Sequence, residues 1–290
     1  MDHILSGLPV AAAILEKASK SIEEIKAKGN TPKLAILRVG ENPEDLRYER
    51  NLIRKGESIG IQVESRVLPL SSSEDDIRAA VWELDEDHSV HGILMFRPLP
   101  AGVDEDAICR EINPEKDVDG AAEGSLAGVF TGREQGFAPC TARAVMEILK
   151  YYGVSLEGKK VTVLGRSLVV GKPLAMMLLA ENATVTVCHS KTVDTREETR
   201  RADILVTAIG KANMVDKSYV RKEQIVLDVG VSLDPATGRF SGDVNYDEVE
   251  PEVASITPLK GGVGAVTTAV LLTQVVEAAL RQTRKPSWTD

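Results

Sequence analysis

The sequence predicts an α/β fold in which two α/β domains flank a cleft. Three observations support this prediction. Apolar runs of strand length alternate with amphipathic segments of helix length, a pattern typical of parallel strands joined by right-handed crossovers. The length of 290 residues favours two domains, each with its own core. Aromatic residues make up only 4% of the chain, as in cores built from aliphatic side chains between helices and a sheet.

Composition excludes several classes of protein. The chain has 35 Lys and Arg against 44 Asp and Glu, a net charge of −9, which argues against nucleic-acid binding. No apolar stretch approaches the roughly 18–20 residues that a membrane-spanning helix needs, and the N-terminus does not resemble a signal peptide. We therefore expect a cytoplasmic protein that contacts no membrane. The three cysteines lack metal-site spacing, so no metal is expected.

The first half of the chain reads as alternating helices and strands bounded by Gly, Pro and Ser. The predicted elements are a helix over 4–28, a strand over 33–39, a helix over 43–58, a strand over 62–68, a helix over 73–84 and a strand over 92–96. Residues 97–140 contain so many prolines and glycines that we expect loops lining a cleft.

A second α/β unit follows. Its predicted elements are a helix over 141–152, a strand over 160–164, a helix over 172–181, strands over 184–188, 203–207 and 225–229, and a long apolar helix from Val263 to Arg281. The predicted domain boundary lies near residue 140. Residues 1–140 form the N-terminal domain, joined by the returning segment 263–290, and residues 141–262 form the C-terminal domain.

A strand, a glycine turn and a helix start follow one another at residues 160–173. The turn begins at Gly165, Arg166 and Ser167, and the helix begins around Gly171, Lys172 and Pro173. Glycines let the backbone approach a diphosphate, and a helix N-terminus supplies N–H donors to it. The pattern predicts a Rossmann-type nucleotide site, although only two glycines of the usual G-x-G-x-x-G are present. A merely structural turn is the alternative.

The end of the next strand favours NADP over NAD. An NAD site usually has an acid there, but this strand runs into His189, Ser190 and Lys191, with no acid before Asp194. Ser190, Lys191 and Arg166 suit a 2′-phosphate. Solvated loop residues are the alternative interpretation. His189 is a poor candidate for a general base, because it would lie at the adenosine end of the cofactor.

Motifs along nearly the whole chain resemble the methylenetetrahydrofolate dehydrogenase/cyclohydrolase family. They are Tyr48 with SIGI at 58–61, GIL and PLP between 92 and 100, PEKDVDG at 114–120, APCTAR at 138–143, GRSLVVGKP at 165–173, VTVCHSKT at 185–192, GDVNYDEVEP at 242–251 and ITPLKGGVGAVTTAVLL at 256–272. Several motifs in one order and spacing make the resemblance specific.

The resemblance implies an activity and roles for several residues. The family oxidises 5,10-methylenetetrahydrofolate with a nicotinamide cofactor and hydrolyses the methenyl product in the same cleft. By the resemblance, Tyr48 and Asp119 are catalytic and contact the folate, with Asp119 bonded to the pterin's amino and ring nitrogens. Pro258, Gly261 and Gly262 would line the cleft. Tetrahydrofolate derivatives are the expected partners, and a homodimer is the expected assembly.

Two departures from the family pattern concern its catalytic Lys and Gln. The family has a Lys four residues after its Tyr, and position 52 is Leu52 here. The family segment V-Q-L-P-L-P reads M-F-R-P-L-P at 95–100, which puts Phe96 at the Gln position and Arg97 at the following Leu position. Leu52 and Phe96 can neither donate nor accept a proton. Nearby, Asp45 replaces a Ser, Leu259-Lys260 replaces V-P, and Ala265-Val266 replaces P-M.

These departures predict an asymmetric loss of activity. Hydride transfer depends mainly on positioning two carbon atoms, whereas hydrolysis needs proton transfers to which a positioned Lys contributes roughly 10²–10⁴-fold. We therefore expect NADP-linked dehydrogenase activity with weak or absent cyclohydrolase activity. Lys260 is the first candidate for a substitute base, and Lys55 and Arg97 are two others. For each of the three, a solvated surface cation is the favoured interpretation.

Three alternatives remain open at this stage. The chain could retain both activities through a substitute base. It could be a paralogue that binds folate or NADP without turnover. Its substrate could also differ from the family's, since Leu52 and Phe96 make the expected pocket more apolar.

Overall fold

A computed structural model describes residues 2–235 and 237–284. The chain forms two compact units. The described residues of the first unit lie within 13–139 and 268–290, and those of the second unit lie within 1–12 and 140–267. The prediction of a two-domain α/β protein is confirmed by parallel sheets in both units.

Ten α-helices lie in the described part of the chain. They are α1 (Gly7–Ala27), α2 (Pro43–Ile59), α3 (Glu74–Glu86), α4 (Glu105–Glu111), α5 (Glu123–Thr131), α6 (Cys140–Tyr151), α7 (Gly171–Ala180), α8 (Thr195–Arg201), α9 (Tyr246–Val249) and α10 (Val263–Arg284). The division between the units falls within α1 and α10.

Ten strands accompany these helices over the same residues. They are β1 (Lys33–Val39), β2 (Gln62–Leu68), β3 (Gly92–Met95), β4 (Lys160–Leu164), β5 (Thr184–Cys188), β6 (Ile204–Thr207), β7 (Ile225–Asp228), β8 (Ser232–Asp234), β9 (Arg239–Ser241) and β10 (Ser255–Ile256). Seven of them, β1 to β7, lie within one residue of the predicted bounds, because short β-prone runs bounded by turn residues are a local signal.

The first unit has a three-stranded parallel sheet in the order β2-β1-β3. The central strand β1 pairs Lys33 with Gln62 on one side and Leu34 with Gly92 on the other. Its interior positions are buried, whereas β2 is an exposed edge strand. The carboxyl ends of β1 and β3 therefore present the residues that follow them at one edge of this sheet.

Helix α2 connects β1 to β2 and has clear signals at both ends. The side chain of Asn42 accepts a hydrogen bond from the backbone N–H of Glu44, and Pro43 stands at the first helical position. Gly60 ends the helix at φ 95°, in the left-handed region that favours glycine. The spacing along this helix fixes which of its residues share a face.

The second unit has a five-stranded parallel sheet in the order β10-β7-β6-β4-β5. From β4 the chain passes to β5 on one side and then returns to β6 on the other side. The carboxyl end of β4 is thus a topological switch point, where open parallel sheets bind their ligands. Strands β8 and β9 form a separate antiparallel pair.

Two short helices that were not predicted, α4 and α5, lie within the loop-rich segment 97–140. Asp104 caps α4 by accepting a hydrogen bond from the N–H of Ala107. Glycines inside α5 serve close packing: a Cβ on Gly128 would lie 2.1 Å from the carbonyl oxygen of Gln135. Glycine at such a position indicates a close approach as readily as a break in the helix. The short helix α8 was also not predicted.

The extreme N-terminal residues group with the second unit, whereas the predicted division placed them with 1–140. Ile4 forms a parallel bridge with Ile256, and the N–H of Leu5 donates to the carbonyl oxygen of Ile256 at 2.8 Å. These hydrogen bonds attach the segment to the end of the five-stranded sheet. The assignment depends on pairing across 251 or more residues, which local pattern does not reveal.

Helix α10 is long and apolar enough to cross a membrane by length and composition alone. The span Val263–Thr283 has a mean hydropathy of 1.7, and 67% of its most apolar window is buried within the protein. Buried core helices have the same composition. Residues 268–284 belong to the first unit, and residues 285–290 of the predicted returning segment lie outside the described residues.

Candidate active site

Helix α2 presents Tyr48, Leu52 and Lys55 along one stripe, because residues four and seven positions apart lie on one face of a helix. Tyr48 is 37% exposed, whereas Leu52 is fully buried in the core. Lys55 is half-buried, and burial lowers the pKa of its ammonium group. The position at which the family pattern has a Lys is therefore an apolar core position in this chain.

Phe96 follows β3 and contacts Tyr48 directly. The two ring centroids are 5.7 Å apart at an interplanar angle of 36°. Phe96 is buried, and its N–H donates to the carbonyl oxygen of Leu37 at 2.9 Å. The family's Gln position is thus occupied by an aromatic ring packed on Tyr48, and such contacts stabilise by about 0.5–1.5 kcal/mol.

Arg97 and Asp119 form an ion pair in the same unit. The Arg97 Nη2 atom lies 3.2 Å from the Asp119 Oδ2 atom, and both side chains are partly exposed. Residue 97 follows strand β3, and the segment carrying Asp119 runs beside that strand through a parallel bridge between Ile93 and Asp117. Three residues singled out from the sequence, Phe96, Arg97 and Asp119, therefore come together at one sheet edge.

The other charged residues of the PEKDVDG motif build the loop that carries Asp119. Lys116 Nζ donates to the carbonyl oxygens of Leu84, Asp85 and Asp87, and so places a cation at the C-terminal end of α3. The Asp117 carboxylate accepts hydrogen bonds from the N–H groups of Ala121 and Ala122. Burial raises the pKa of Asp117. Lys116 and Asp117 are therefore structural, a distinction that sequence spacing alone does not give.

The remaining predicted folate residues, Pro258, Gly261 and Gly262, lie in the second unit together with Lys260. The Gly261 carbonyl oxygen accepts a hydrogen bond from the N–H of Gly7 at 2.7 Å. A Cβ on Gly262 would lie 2.1 Å from the Pro258 carbonyl oxygen, so the turn is tight. Lys260 is exposed. The structure supports a packing role for both glycines, and their predicted contact with folate remains a prediction.

The glycine turn lies at the switch point of the five-stranded sheet, as the nucleotide prediction requires. Gly165 has φ 129°, and a Cβ there would lie 2.2 Å from the Ala208 carbonyl oxygen. A Cβ on Gly171 would lie 2.2 Å from the carbonyl oxygen of Gly165. Among the described residues, no side chain caps the N-terminus of α7. The turn therefore offers bare backbone and a helix N-terminus, which together fit a diphosphate.

Side chains around this turn divide into exposed and structural groups. Arg166, Ser190 and Lys191 are exposed at the ends of the neighbouring strands β4 and β5. His189 instead shapes its own loop: its Nδ1 accepts a hydrogen bond from the N–H of Lys191 at 3.1 Å. Ser167 Oγ likewise accepts from the N–H of Val170 at 3.1 Å. Lys172 is exposed and Pro173 is buried at the start of α7.

Two aspartates at the same sheet edge, the partly buried Asp228 and the fully buried Asp243, were not predicted. Asp228 ends β7 and accepts hydrogen bonds from Thr207 Oγ1 and from the N–H groups of Asp243 and Val244. Asp243 accepts from the N–H groups of Ile209 and Lys211. Burial raises the pKa of Asp228 to about 6.

Each of these aspartates packs against a glycine of the other segment. A Cβ on Gly242 would lie 1.9 Å from Asp228, and a Cβ on Gly230 would lie 2.1 Å from Asp243. The sequence signal is a pair of motifs with the same three residue types, DVG at 228–230 and GDV at 242–244. A cavity of about 140 Å³ adjoins them, lined among others by Asn213, Asn245 and Leu259.

The cysteines provide no disulfide within the described residues, although Cys109 lies near Arg97. Cys109, Cys140 and Cys188 are all buried. Burial raises the pKa of the Cys109 thiol to about 11, which makes it unreactive at neutral pH. Over residues 2–235 and 237–284 no group of three or more His, Cys, Asp or Glu residues could hold a metal ion.

Comparison with protein families gives two consecutive matches. Residues 5–119 match the catalytic domain of tetrahydrofolate dehydrogenase/cyclohydrolase, and residues 139–283 match its NAD(P)-binding domain. The chain is 50% identical over 279 residues to the bifunctional protein FolD of Carboxydothermus hydrogenoformans, which covers 96% of this chain and 97% of the relative.

Solved structures agree with the sequence matches. The bifunctional FolD enzyme of Campylobacter jejuni has a TM-score of 0.92 at 38% identity, covering 96% of this chain and 98% of that one. The Trypanosoma brucei enzyme, solved with NADP and an inhibitor, has a TM-score of 0.91 at 34% identity, covering 97% and 98%. Both family domains match in order and the whole fold is shared, so the chain belongs to the tetrahydrofolate dehydrogenase/cyclohydrolase family.

Proposed function

We propose that the chain is an NADP-dependent 5,10-methylenetetrahydrofolate dehydrogenase whose methenyltetrahydrofolate cyclohydrolase activity is weak or lost. Family membership supports the two chemistries to be considered. Two positions distinguish the two activities. Leu52 is fully buried and Phe96 is packed on Tyr48, where the family pattern has a Lys and a Gln.

NADP is the cofactor in this proposal. Gly165 and the uncapped N-terminus of α7 hold the diphosphate, and exposed Arg166, Ser190 and Lys191 hold the 2′-phosphate. When bound, NADP supplies a hydride acceptor. The Trypanosoma brucei relative was solved with NADP, which supports the choice over NAD. The roles of these residues follow from the motif and from their exposure at the switch point.

Tyr48 and Asp119 bind the folate in this proposal. Tyr48 offers a partly exposed ring that Phe96 holds from the side, and Asp119 offers a carboxylate to the amino and ring nitrogens of the pterin. Oxidation moves a hydride from the methylene carbon and leaves a methenyl cation on the folate. No protein proton is transferred in this step, so correct positioning suffices.

Hydrolysis of the methenyl cation makes a different demand. Water must add to the carbon, lose a proton, and a folate nitrogen must gain one before the ring opens. Leu52 and Phe96 supply no group for either transfer. A positioned acid or base contributes roughly 10²–10⁴-fold, and we expect a deficit of that order in the hydrolytic rate.

The position and partial burial of Lys55 favour the alternative that the chain retains both the dehydrogenase and the cyclohydrolase activity. It lies three residues after Leu52 on α2, and a helical side chain covers the turn that precedes its own Cα. Burial lowers the pKa of its ammonium group, which suits a lysine for proton transfer. Of the other two candidates, Lys260 is exposed and Arg97 is paired with Asp119. A Lys55→Met variant separates this alternative from the main proposal.

The test is a steady-state assay of both reactions with purified protein. We expect NADPH formation from methylenetetrahydrofolate, a preference for NADP over NAD, and hydrolysis of methenyltetrahydrofolate at least about 100-fold slower than oxidation. The double substitution Leu52→Lys with Phe96→Gln should raise hydrolysis if it folds. Hydrolysis as fast as oxidation in the wild type, lost in Lys55→Met, would establish the alternative. Binding of both ligands without NADPH formation would identify a non-catalytic paralogue.

Assembly and location complete the proposal. We infer a cytoplasmic homodimer from family resemblance and from the acidic composition, with tetrahydrofolate derivatives as partners and neither nucleic acid nor membrane among them. Light scattering coupled to size exclusion measures the assembly, and a monomer at assay concentration would contradict the dimer.

A further inference from the structure

Arg97 stands beside the carboxylate that is proposed to hold the pterin, at a position where the family pattern has Leu. Its Nη2 atom lies 3.2 Å from Asp119 Oδ2. The substitution thus introduces a permanent cation next to the folate-binding carboxylate. Leu52 and Phe96 remove polar groups from the predicted folate site, and Arg97 adds one.

The surroundings of Arg97 leave several of its donors for a ligand. A guanidinium group has five N–H donors in a rigid fork. Within residues 2–235 and 237–284, the Arg97 side chain makes one hydrogen bond, to Asp119. The neighbouring Glu105 carboxylate accepts from the N–H of Leu99, and the Asp117 carboxylate accepts from the N–H groups of Ala121 and Ala122, just before α5. Both side chains of the pair retain exposure, 25% for Arg97 and 29% for Asp119.

An Arg and an Asp side by side present donors next to acceptors. The reduced pterin has the complementary edge: the 2-amino group and the ring N3–H are donors, and the adjacent 4-oxo group is an acceptor. A carboxylate matches the two donors and a guanidinium matches the oxygen. The family's Leu at this position could not make the second contact.

We propose that Arg97 is a specificity-determining residue that donates a hydrogen bond to the 4-oxo group of the pterin while Asp119 holds the 2-amino and N3–H groups. This inference rests on the proposed function, because it requires folate in the site. It assigns to this chain a selectivity for 4-oxo over 4-amino pteridines. A 4-amino group would place N–H donors against the guanidinium and leave a charged donor unpaired, which is costly.

The experiment compares two ligands that differ at one position, tetrahydrofolate and its 4-amino-4-deoxy analogue. Each is titrated into protein saturated with NADP, and the heat of binding gives Kd without turnover. The wild type should bind the 4-oxo ligand at least about 10-fold more tightly than the 4-amino ligand. Arg97→Leu, which restores the family residue, should weaken the 4-oxo ligand about 10–100-fold and leave the 4-amino ligand within about 3-fold.

Two further variants keep the result interpretable. Arg97→Lys preserves the charge beside Asp119 but not the fork, and should show intermediate discrimination. Arg110→Leu removes an arginine that pairs with Glu123 in the same unit, 3.6 Å apart, and should change neither ligand. Circular dichroism confirms that each variant is folded, and Arg97→Lys provides the test if Arg97→Leu is not.

Three outcomes overturn the proposal. Equal weakening of both ligands by Arg97→Leu would mean that Arg97 only orients Asp119. Tighter binding of both would mean that it competes with the pterin for the carboxylate. A wild type that binds both ligands equally would show that the 4-oxo group is not recognised. If the wild type binds NADP but no tetrahydrofolate, the proposed function itself fails and the inference fails with it.

Discussion

The glycine turn after β4 and the side-chain cluster after β3 both lie at carboxyl ends of parallel strands, yet they are built from different parts of the chain. At Gly165 the essential feature is bare backbone, since a Cβ would lie 2.2 Å from the Ala208 carbonyl oxygen. The cluster of Tyr48, Phe96, Arg97 and Asp119 depends on side-chain identity. A backbone site tolerates few substitutions, whereas a side-chain site changes its chemistry with a single residue.

This difference explains how the chain keeps the family fold while departing at catalytic positions. Leu52 is fully buried and Phe96 stacks on a neighbouring ring, so both substitutions suit an apolar interior. They replace proton-transfer groups with apolar side chains. Arg97 adds a charge and finds Asp119 as its partner. The nucleotide turn, by contrast, retains both of its close-packed glycines.

Gly165→Ala should weaken NADP binding, and its effect should be the largest of those expected here. The new Cβ would force the backbone away from Ala208, and φ 129° is strained for any residue with a side chain. We expect Kd for NADP to rise at least about 100-fold, measured by fluorescence titration. Gly158→Ala is the matched control. It has φ 72° but no atom within 4 Å of a Cβ, so about 1 kcal/mol of stability should be lost without a change in NADP affinity. NADP binding within 3-fold of the wild type in Gly165→Ala would exclude the turn as the diphosphate site.

Asp228, at the carboxyl end of β7, should make the free energy of unfolding depend on pH. Burial raises its pKa to about 6, above an unfolded value of about 3.9. A raised pKa contributes stability that is fully present below pH 3.9 and is lost as the pH rises through 6. Asp228→Asn should remove about 2–3 kcal/mol of this dependence between pH 4 and pH 7, measured by urea unfolding.

Asp216→Asn is the control for that measurement. Hydrogen bonds from the Ser218 hydroxyl and N–H lower the pKa of Asp216, so its contribution has the opposite sign and is lost as the pH falls. The two variants should therefore diverge from the wild type in opposite directions. Identical pH profiles for the wild type and Asp228→Asn would contradict a buried, titrating carboxylate.

Sequence pattern predicted the sheet strands well and the contacts among site residues poorly. β1, β2, β4 and β5 have the predicted bounds because β-prone runs and the turn residues that flank them are local signals, even where the strand is exposed, as β2 is. Pairs such as Arg97 with Asp119, or Asp228 with Asp243, join residues 15 or more positions apart through the fold. No local periodicity encodes them. The glycines of α5 were misleading too, because the residues they pack against, Pro114 and Gln135, lie outside the helix.

Motif knowledge predicted the positions of the proposed nucleotide-binding residues better than the contacts within the side-chain cluster. Gly165 and Lys191 lie where the strand and turn pattern places them, at the ends of β4 and β5. Leu52 and Phe96 could be assigned to family positions by spacing from Tyr48 and from Pro98. That Phe96 packs on Tyr48, and that Arg97 pairs with Asp119, required the three-dimensional arrangement.

Phe96→Leu should have the smallest effect and should be confined to the first unit. It removes the ring contact with Tyr48, worth about 0.5–1.5 kcal/mol, and leaves the backbone bond from residue 96 to Leu37 in place. Without that contact Tyr48 is less well oriented, so tetrahydrofolate should bind about 3–10-fold more weakly while Kd for NADP stays unchanged. Phe130→Leu is the matched control, because Phe130 is 74% exposed on α5 of the same unit. Weakening of NADP binding by Phe96→Leu would show that the two sites are coupled, and that side-chain changes in the cluster are not independent of the nucleotide turn.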